Sequence, residues 1–372
     1  MRPKLKILHT EWSTGWGGQE IRIHGEALAL RALGHEVHFA CRPISTIHHQ
    51  ARNSGFVVHD VEFNHSMNPF TVFKIVQLLQ KEAFDVIHTH SSIDSWCGAF
   101  AGRLSGTPII RSRHLASKIK RDWTSNLLYS RMPAIVLTSG EAIRQHLLEN
   151  ARCREERVIS VPAGADHGRF RPEPVRDRIR DELGISKELP LIGIVAVLRS
   201  WKGHEILLDA FALLLFRGLK AQLLIVGDGP IRKNLEEKIR SLSLEQDVFM
   251  AGYRTDVPSI MNALDVLVLP SLKNEATSQV IPQAMLCEIP VVASTAGGLT
   301  EIVRDGVTGL SVSPGDVPAL AQALSRILQD RTATEKMVAN GKELALREFT
   351  FAGMIQKTVD AYYQAIALCQ NS

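Results

Sequence analysis

The residues best equipped for chemistry fall in one stretch, Leu269-Pro-Ser271-Leu-Lys-Asn-Glu275-Ala-Thr277-Ser278-Gln279-Val280-Ile-Pro-Gln283-Ala-Met285. A buried apolar strand runs there into a loop carrying the carboxylate of Glu275, and the pattern starts a helix near Val280. The first N–H groups of a helix have no partner inside it. Those of Thr277, Ser278, Gln279 and Val280 therefore suit phosphate oxygens, with Glu275 one turn ahead. Upstream, Leu198-Arg199-Ser-Trp-Lys202-Gly203-His204 joins a strand to a helix. One Arg and one Lys at a strand's end neutralise a diphosphate, the Arg bidentately and the Lys as a point charge. Gly227-Asp-Gly229-Pro230 ends the next strand, where a turn without side chains admits a base or ribose; as a bare motif it is also loop punctuation.

A second group lies near the amino terminus. Gly15-Trp-Gly17-Gly18-Gln-Glu20 follows the first strand and opens the first helix, so its backbone and the positive helix end suit a phosphate. It is no dinucleotide fingerprint: Glu20 stands where the third glycine belongs, and Cys41-Arg42 replaces the ribose-binding acid. The competing reading is a tight strand-to-helix turn. His88 and His90 end the fourth strand and His114 follows the fifth. No clustered carboxylates accompany them and Asp-x-Asp is absent, so a metal is not expected. His88 alternates inward with Val86 as a core residue, and His114, flanked by basic residues, is the functional candidate.

These residues need a scaffold that brings loops together, and the chain alternates short apolar runs with helical periods throughout. Strands separated by crossover-length helices predict an α/β fold of two Rossmann-like, doubly wound domains facing across a cleft. The expected division is 1–166, a charged linker 167–182 with two prolines that buries little, 183–349, and a closing amphipathic helix within 350–372. Strand Pro190–Leu198 opens the second series. Ligands of such sheets sit at the carboxyl ends of the strands, so the site is expected between the halves.

With 372 residues, 45% hydrophobic and 22% charged, the chain has the composition of a two-domain globular protein. Its longest apolar run, Ala210 to Phe216, is far below the ~20 residues that span a bilayer. No signal peptide is recognisable, and the 5 cysteines are scattered without Cys-x-x-Cys, which points to a reducing, cytoplasmic setting. Through residue 182 there are 25 Lys and Arg against 19 Asp and Glu, so the first half holds the whole positive excess. It is densest at Arg111, Arg113, Lys118, Lys120 and Arg121, a cluster suited to a phosphorylated substrate, to a membrane surface, or simply to solvent.

The Glu275 stretch, continued by Pro290-Val-Val-Ala-Ser-Thr-Ala-Gly297-Gly298, resembles the signature of family 4 retaining glycosyltransferases, E-G-F-G-x-x-x-x-E-A followed by G-x-P-V-V-A-S-x-x-G-G. The likeness covers nearly the whole chain, through the Gly17-Gly18 loop, Asp85-Val-Ile-His88-Thr-His90, Lys202-Gly203, Gly227-Asp-Gly-Pro230 and the final helix. It implies the GT-B fold, with that helix crossing back onto the first domain. It also implies a nucleotide-sugar donor, UDP-linked by default and GDP-linked second, held mainly by the second domain, an acceptor held by the first, and no obligatory metal or other cofactor. By the same resemblance Glu275 lies against the donor sugar, Lys202, Gly17 and Gly18 near the diphosphate, His114 beside the sugar, and Thr277 to Val280 form the phosphate cradle.

Two positions depart from the pattern. Gln283 replaces the second Glu, which in the family binds ribose; an amide still accepts from one hydroxyl and donates to another. The family arginine falls on Val197, and Arg199 two residues on would regain the same face of a strand. Many relatives build bacterial surface polysaccharide or lipopolysaccharide on lipid-linked acceptors. Lys118, Lys120, Arg121 and Trp123 are accordingly candidates for contact with an anionic membrane. Other classes that fit part of the pattern are a GT-B sugar epimerase and a sugar-nucleotide-binding protein with little turnover.

Overall fold

The computed structural model describes residues 2–114, 116, 119–273 and 275–370. Strands β1 (Lys6–Glu11), β2 (Glu36–Cys41), β3 (Val57–Asp60), β4 (Val86–Thr89), β5 (Ile109–Arg113), β6 (Ile135–Thr138) and β7 (Val158–Ser160) form one parallel sheet, ordered β3-β2-β1-β4-β5-β6-β7. Strands β8 (Leu191–Val195), β9 (Gln222–Val226), β10 (Val248–Gly252), β11 (Val266–Leu269), β12 (Val291–Ser294) and β13 (Leu310–Val312) form a second, ordered β10-β9-β8-β11-β12-β13. Strands β8, β9 and β11 read as nearly continuous Val, Ile and Leu runs, as strands covered by helices on both faces do. Strand order reverses between β1 and β4 and again between β8 and β11, which opens a crevice at the carboxyl ends of those strands.

The chain divides into two Rossmann-like units, residues 1–162 with 354–372, and residues 163–353. In the first, Leu8, Val72, Ile75, Ile87, Cys97 and Ile109 build a core under the helices Pro69–Glu82 and Ser92–Ser105. In the second, Ile194, Leu207 and Phe211 pack on one face of the sheet and Leu224, Leu267 and Ile281 on the other. The last helix, Phe351–Gln370, belongs to the first unit from Met354 onward and buries Met354, Ile355, Tyr362 and Ala365.

Three segments differ from what the sequence suggested. Residues 167–182, read as a linker that buries little, place Phe170 and Ile179 in the second unit's core and form most of a helix, Arg176–Leu183. The cause is Arg180. Its side chain is fully buried and donates to the carbonyls of Ala263, Ser186 and Leu189 while pairing with Asp265 at 2.7 Å. Helix Arg331–Glu348 was not expected, because its buried residues are only Met337, Gly341, Leu344 and Ala345, too sparse for a clear period. Strand β8 stops at Val195 rather than Leu198, so residues 196–199 are loop.

Candidate functional site

Glu275 is 5% exposed, and two elements of the second unit converge on it. Lys202 Nζ lies 2.6 Å from its Oε1, and the Ser271 hydroxyl donates to the same oxygen at 2.8 Å. The loop holding Lys202 is fixed to the β11 loop by a bond from the Leu272 N–H to the Trp201 carbonyl at 2.7 Å. Gly203, with φ +78°, makes that approach possible, since a Cβ there would stand 2.0 Å from the Pro270 carbonyl oxygen. On the other side Gly297, φ +57°, lies against the Glu275 carbonyl, where a Cβ would come within 2.0 Å, and the Gly298 N–H donates to that carbonyl at 3.0 Å. The Gly-Gly pair therefore sets where the Glu275 loop sits. Ser271 was not singled out from the sequence, although it lies in the same stretch at a strand's end.

Gly227 and Gly229 close the site's other edge, packed against the backbone of Ala196 and Leu198. Arg199 is exposed and lies over the Trp201 ring, 5.0 Å from its centre. Since β8 has ended, the alternation that would set Arg199 on the face of Val197 does not operate, and its place comes from the turn donated by its N–H to the Val197 carbonyl at 2.8 Å. Thr277 and Gln279 are occupied with the start of their own unit: Thr277 Oγ1 accepts from the Ala163 N–H at 3.2 Å, and Gln279 Nε2 donates to the Gly164 carbonyl at 2.9 Å. The helix Val280–Leu286 makes its first backbone bond from Ile281 to Ser278, so the N–H groups of Ser278, Gln279 and Val280 precede the intrahelical series. Gln283 sits half-buried in that helix.

In the first unit the glycine loop is less open than its composition suggests. The Gly17 N–H donates to Glu20 Oε2 at 2.9 Å, and the Gly15 N–H to Ser13 Oγ at 3.2 Å, while Gly18 begins the helix Gly18–Ala32. Beneath it Glu11, at the end of β1, accepts from the Ser13 N–H, Ser91 Oγ and Gln19 Nε2 at 2.8, 2.7 and 2.6 Å. Burial, reinforced by Asp94, pushes the Glu11 carboxyl up to about 8.

His114 is half-buried and both its ring nitrogens are engaged, Nε2 with His90 Nδ1 at 3.1 Å and Nδ1 with Ser139 Oγ at 3.2 Å. His90 Nε2 in turn meets His9 Nδ1 at 2.8 Å, and Arg22 donates to Ser139 at 3.0 Å. His88 is a core residue as expected, bonded to Tyr362 OH and Ser112 Oγ at 2.8 Å each. Burial holds His9 down to about 3, and burial with neighbouring cations or imidazoles holds His88, His90 and His114 well below the usual imidazole range. His9, His88 and His90 bring ring nitrogens within 4.8 Å of one another. Five of the trio's six ring nitrogens are engaged with one another or with Tyr362, Ser112 and His114, and within the trio His9 Nε2 alone has no hydrogen-bond partner among the described residues. His9 was missed in the sequence because nothing local shows that β1 pairs with β4, which sets His9 opposite His88.

The basic segment is only partly presented to solvent. Lys118 lies outside the described residues; Lys120 and Arg121 are exposed, Arg121 bonding Asn150, and Trp123 is 74% exposed. Leu128 and Tyr129, farther along the same segment, are buried. No helix among the described residues is long and apolar enough to cross a membrane.

The chain also matches known families and solved structures. Residues 175–344 match the model of glycosyl transferases group 1, and residues 16–169 that of glycosyltransferase family 4. The chain is 31% identical over 261 residues to the putative glycosyltransferase EpsF of Bacillus subtilis, covering 66% of this chain and 67% of that one. It is 28% identical over 297 residues to alpha-D-kanosaminyltransferase of Streptomyces kanamyceticus, covering 74% and 76%. Among solved structures, Anabaena Alr3699/HepE in complex with UDP-glucose superposes with a TM-score of 0.84 at 25% identity, over 96% of this chain and 99% of that one. The two Rossmann-like units carry the GT-B fold, and the chain belongs to glycosyltransferase family 4, group 1.

Proposed function

We propose that the chain transfers a hexose-type sugar, with retention of configuration, from a UDP-linked donor to a sugar or lipid-linked saccharide acceptor in the assembly of cell-surface polysaccharide or lipopolysaccharide. The observation that carries this reading is the Lys202–Glu275 pair at 2.6 Å, set beside the N–H groups that precede helix Val280–Leu286. That UDP is the nucleotide is supported by the likeness to a protein crystallised with UDP-glucose. The anomeric C–O bond to the diphosphate breaks through an oxocarbenium-like transition state, and the acceptor oxygen bonds to the same face of that carbon. The acceptor's proton passes to the departing phosphate oxygen. Lys202, Arg199 and the N–H groups of Ser278 to Val280 meet the growing negative charge, and Glu275 orients the sugar; no divalent cation enters this reading. Gln283 takes the ribose hydroxyls. Lys120, Arg121 and Trp123 rest on the anionic inner face of the membrane, where lipid-linked acceptors lie.

The test is a thermal-shift panel of UDP, GDP, ADP and dTDP, with and without EDTA, on the native chain and on Glu275→Ala. A ligand at 100 times its Kd adds about 2.7 kcal/mol of stability. A chelator-insensitive rise with UDP alone is expected; no rise with any nucleotide would overturn the proposal.

A further inference from the structure

Arg111 and Arg113 alternate on β5 with Ser112, which turns the other way to His88. Both guanidinium groups therefore leave the same face of the sheet, and both donate to a single acceptor: Arg111 Nη2 reaches Tyr129 OH at 2.9 Å and Arg113 Nη1 reaches it at 2.8 Å. Arg111 is 4% exposed and its guanidinium stacks 4.0 Å from the centre of the Tyr129 ring. Its Nε and Nη1 are buried without a hydrogen-bond partner among the described residues. A buried cation left in that state is costly, and such groups are normally paired.

The protein's own carboxylates do not meet this need. Asp94 exerts an attraction on Arg111, but its oxygens accept from Thr10 Oγ1 and from the N–H groups of His90 and Ser91 at 2.8 to 3.0 Å, and no carboxylate of the described residues lies within ion-pair distance of Arg111. Tyr129 is carried by a π-helical turn, Leu127–Arg131, an irregularity frequent at functional sites. Arg113 is the last residue of β5, at the end where doubly wound sheets take their ligands, and Arg111 precedes it by two residues. Arg113 is half-buried and forms the solvent side, with Arg111 behind it.

We infer that Arg111, Arg113 and the Tyr129 hydroxyl form an oxyanion site in the first unit that takes a phosphoryl group of the acceptor. Two guanidinium groups converging on one point match the tetrahedral array of phosphate oxygens, whereas a neutral hydroxyl leaves the Nε and Nη1 of Arg111 without a partner among the described residues. The acceptor part of this inference rests on the proposed function; the anion site does not. The phosphoryl group belongs either to a soluble sugar phosphate or to the diphosphate of a lipid-linked saccharide.

The experiment is a calorimetric titration of inorganic phosphate into the chain saturated with UDP, so that the donor's diphosphate position is already filled. Arg111→Met and Arg113→Met, which keep side-chain bulk and lose the charge, are each expected to weaken phosphate binding at least tenfold and to leave UDP affinity unchanged. Arg113→Met serves if the buried substitution does not fold. Phosphate affinity that is equal in the native chain and both variants would overturn the site. If UDP fails to bind, the titration is run without it: a loss confined to the arginine variants then upholds the anion site while the donor reading falls. Competition against phosphate assigns the source. Displacement by a hexose 1-phosphate marks a soluble acceptor, displacement by a short-chain polyprenyl diphosphate sugar marks a lipid-linked one, and displacement by neither removes the acceptor from the inference.

Discussion

Lys202 and Glu275 lie 73 residues apart in sequence, and each was legible by type: a cation beside a glycine at one strand's end, a carboxylate ahead of a helix at another. Their mutual contact was not legible, because it depends on which strands are neighbours. Lys202 is 20% exposed along its side chain and Glu275 7%, so the pair is partly screened, and the cost of breaking it falls below the ~3–5 kcal/mol of a fully buried pair. Lys202→Met is expected to lower stability by about 2 kcal/mol in urea unfolding, since among the described residues the Glu275 carboxylate then keeps only the Ser271 hydroxyl. On the proposed mechanism the same change lowers kcat about 100-fold or more, as loss of one preorganised donor to developing charge does. A kcat within threefold of native would remove Lys202 from the chemistry while leaving the stability prediction intact. The glycines give a sharper comparison. Gly297→Ala forces a Cβ against the Glu275 carbonyl at a positive φ, whereas Gly306, φ +67°, faces open space. Gly306→Ala is expected to cost only about 1 kcal/mol of backbone strain, and Gly297→Ala at least twice that, with lowered UDP affinity. Equal losses for the two would mean that the Glu275 loop yields freely.

Parallel pairing of β1, β4 and β5 is what gathers His9, His88, His90 and His114, residues spread over 106 positions of sequence numbering, into one buried group. Three of them were visible as strand-end histidines; the fourth, and the Tyr362 that the last helix adds, required the strand order. The same order brings Glu11 against Asp94. These two groups pull stability in opposite directions with pH. The unfolded chain's imidazoles take up protons near pH 6.5, whereas the folded ones, held far lower, do not. Below that pH the unfolded state binds more protons, and stability falls by about 1.4 kcal/mol per pH unit for each such imidazole. Glu11 behaves in reverse: its folded carboxyl keeps a proton up to about 8, so its contribution is present at low pH and is lost as pH rises through the range from 4.5 to 8. Four imidazoles outweigh the carboxyls on the acid side. Urea unfolding across pH 4.5 to 9 is therefore expected to show a maximum near pH 6.5, with the steeper limb in acid, and Glu11→Gln is expected to flatten the alkaline limb and to steepen the acid limb, because Glu11 opposes the imidazoles there. A maximum above pH 8 would contradict the buried, proton-bearing Glu11.

At the scale of the whole chain, alternation of strand and helix was readable from end to end, and two Rossmann-like units follow from it. The points where the chain passes from one unit to the other were not, because they are fixed by hydrogen bonds such as Thr277 to Ala163 and Gln279 to Gly164, and by the burial of Arg180 in a segment that reads as solvated. Charge was readable, and it stays divided in the structure: residues 1–162 and 354–372 hold 21 Lys and Arg against 15 Asp and Glu, while the formal net charge of the chain is only +4. The first unit is thus positive and the second slightly negative. Near an anionic lipid surface each exposed Lys or Arg contributes about 1 kcal/mol, which decays within a Debye length of roughly 8 Å at physiological salt. On the proposed membrane contact, Lys120 and Arg121 alone would give weak binding, and Trp123, with its ring mostly in solvent, would add the apolar area that an electrostatic contact lacks. Co-sedimentation with vesicles rich in phosphatidylglycerol is expected for the native chain at low salt, with release at 0.5 M salt, where screening shortens the field, and little binding to phosphatidylcholine vesicles. The Lys120→Glu, Arg121→Glu double variant is expected to lose most of the binding. Trp123→Ser is expected to weaken it while leaving its salt dependence unchanged, because the tryptophan contributes area and the two cations contribute field. Binding that ignores all three substitutions would place any membrane contact elsewhere on the positive unit.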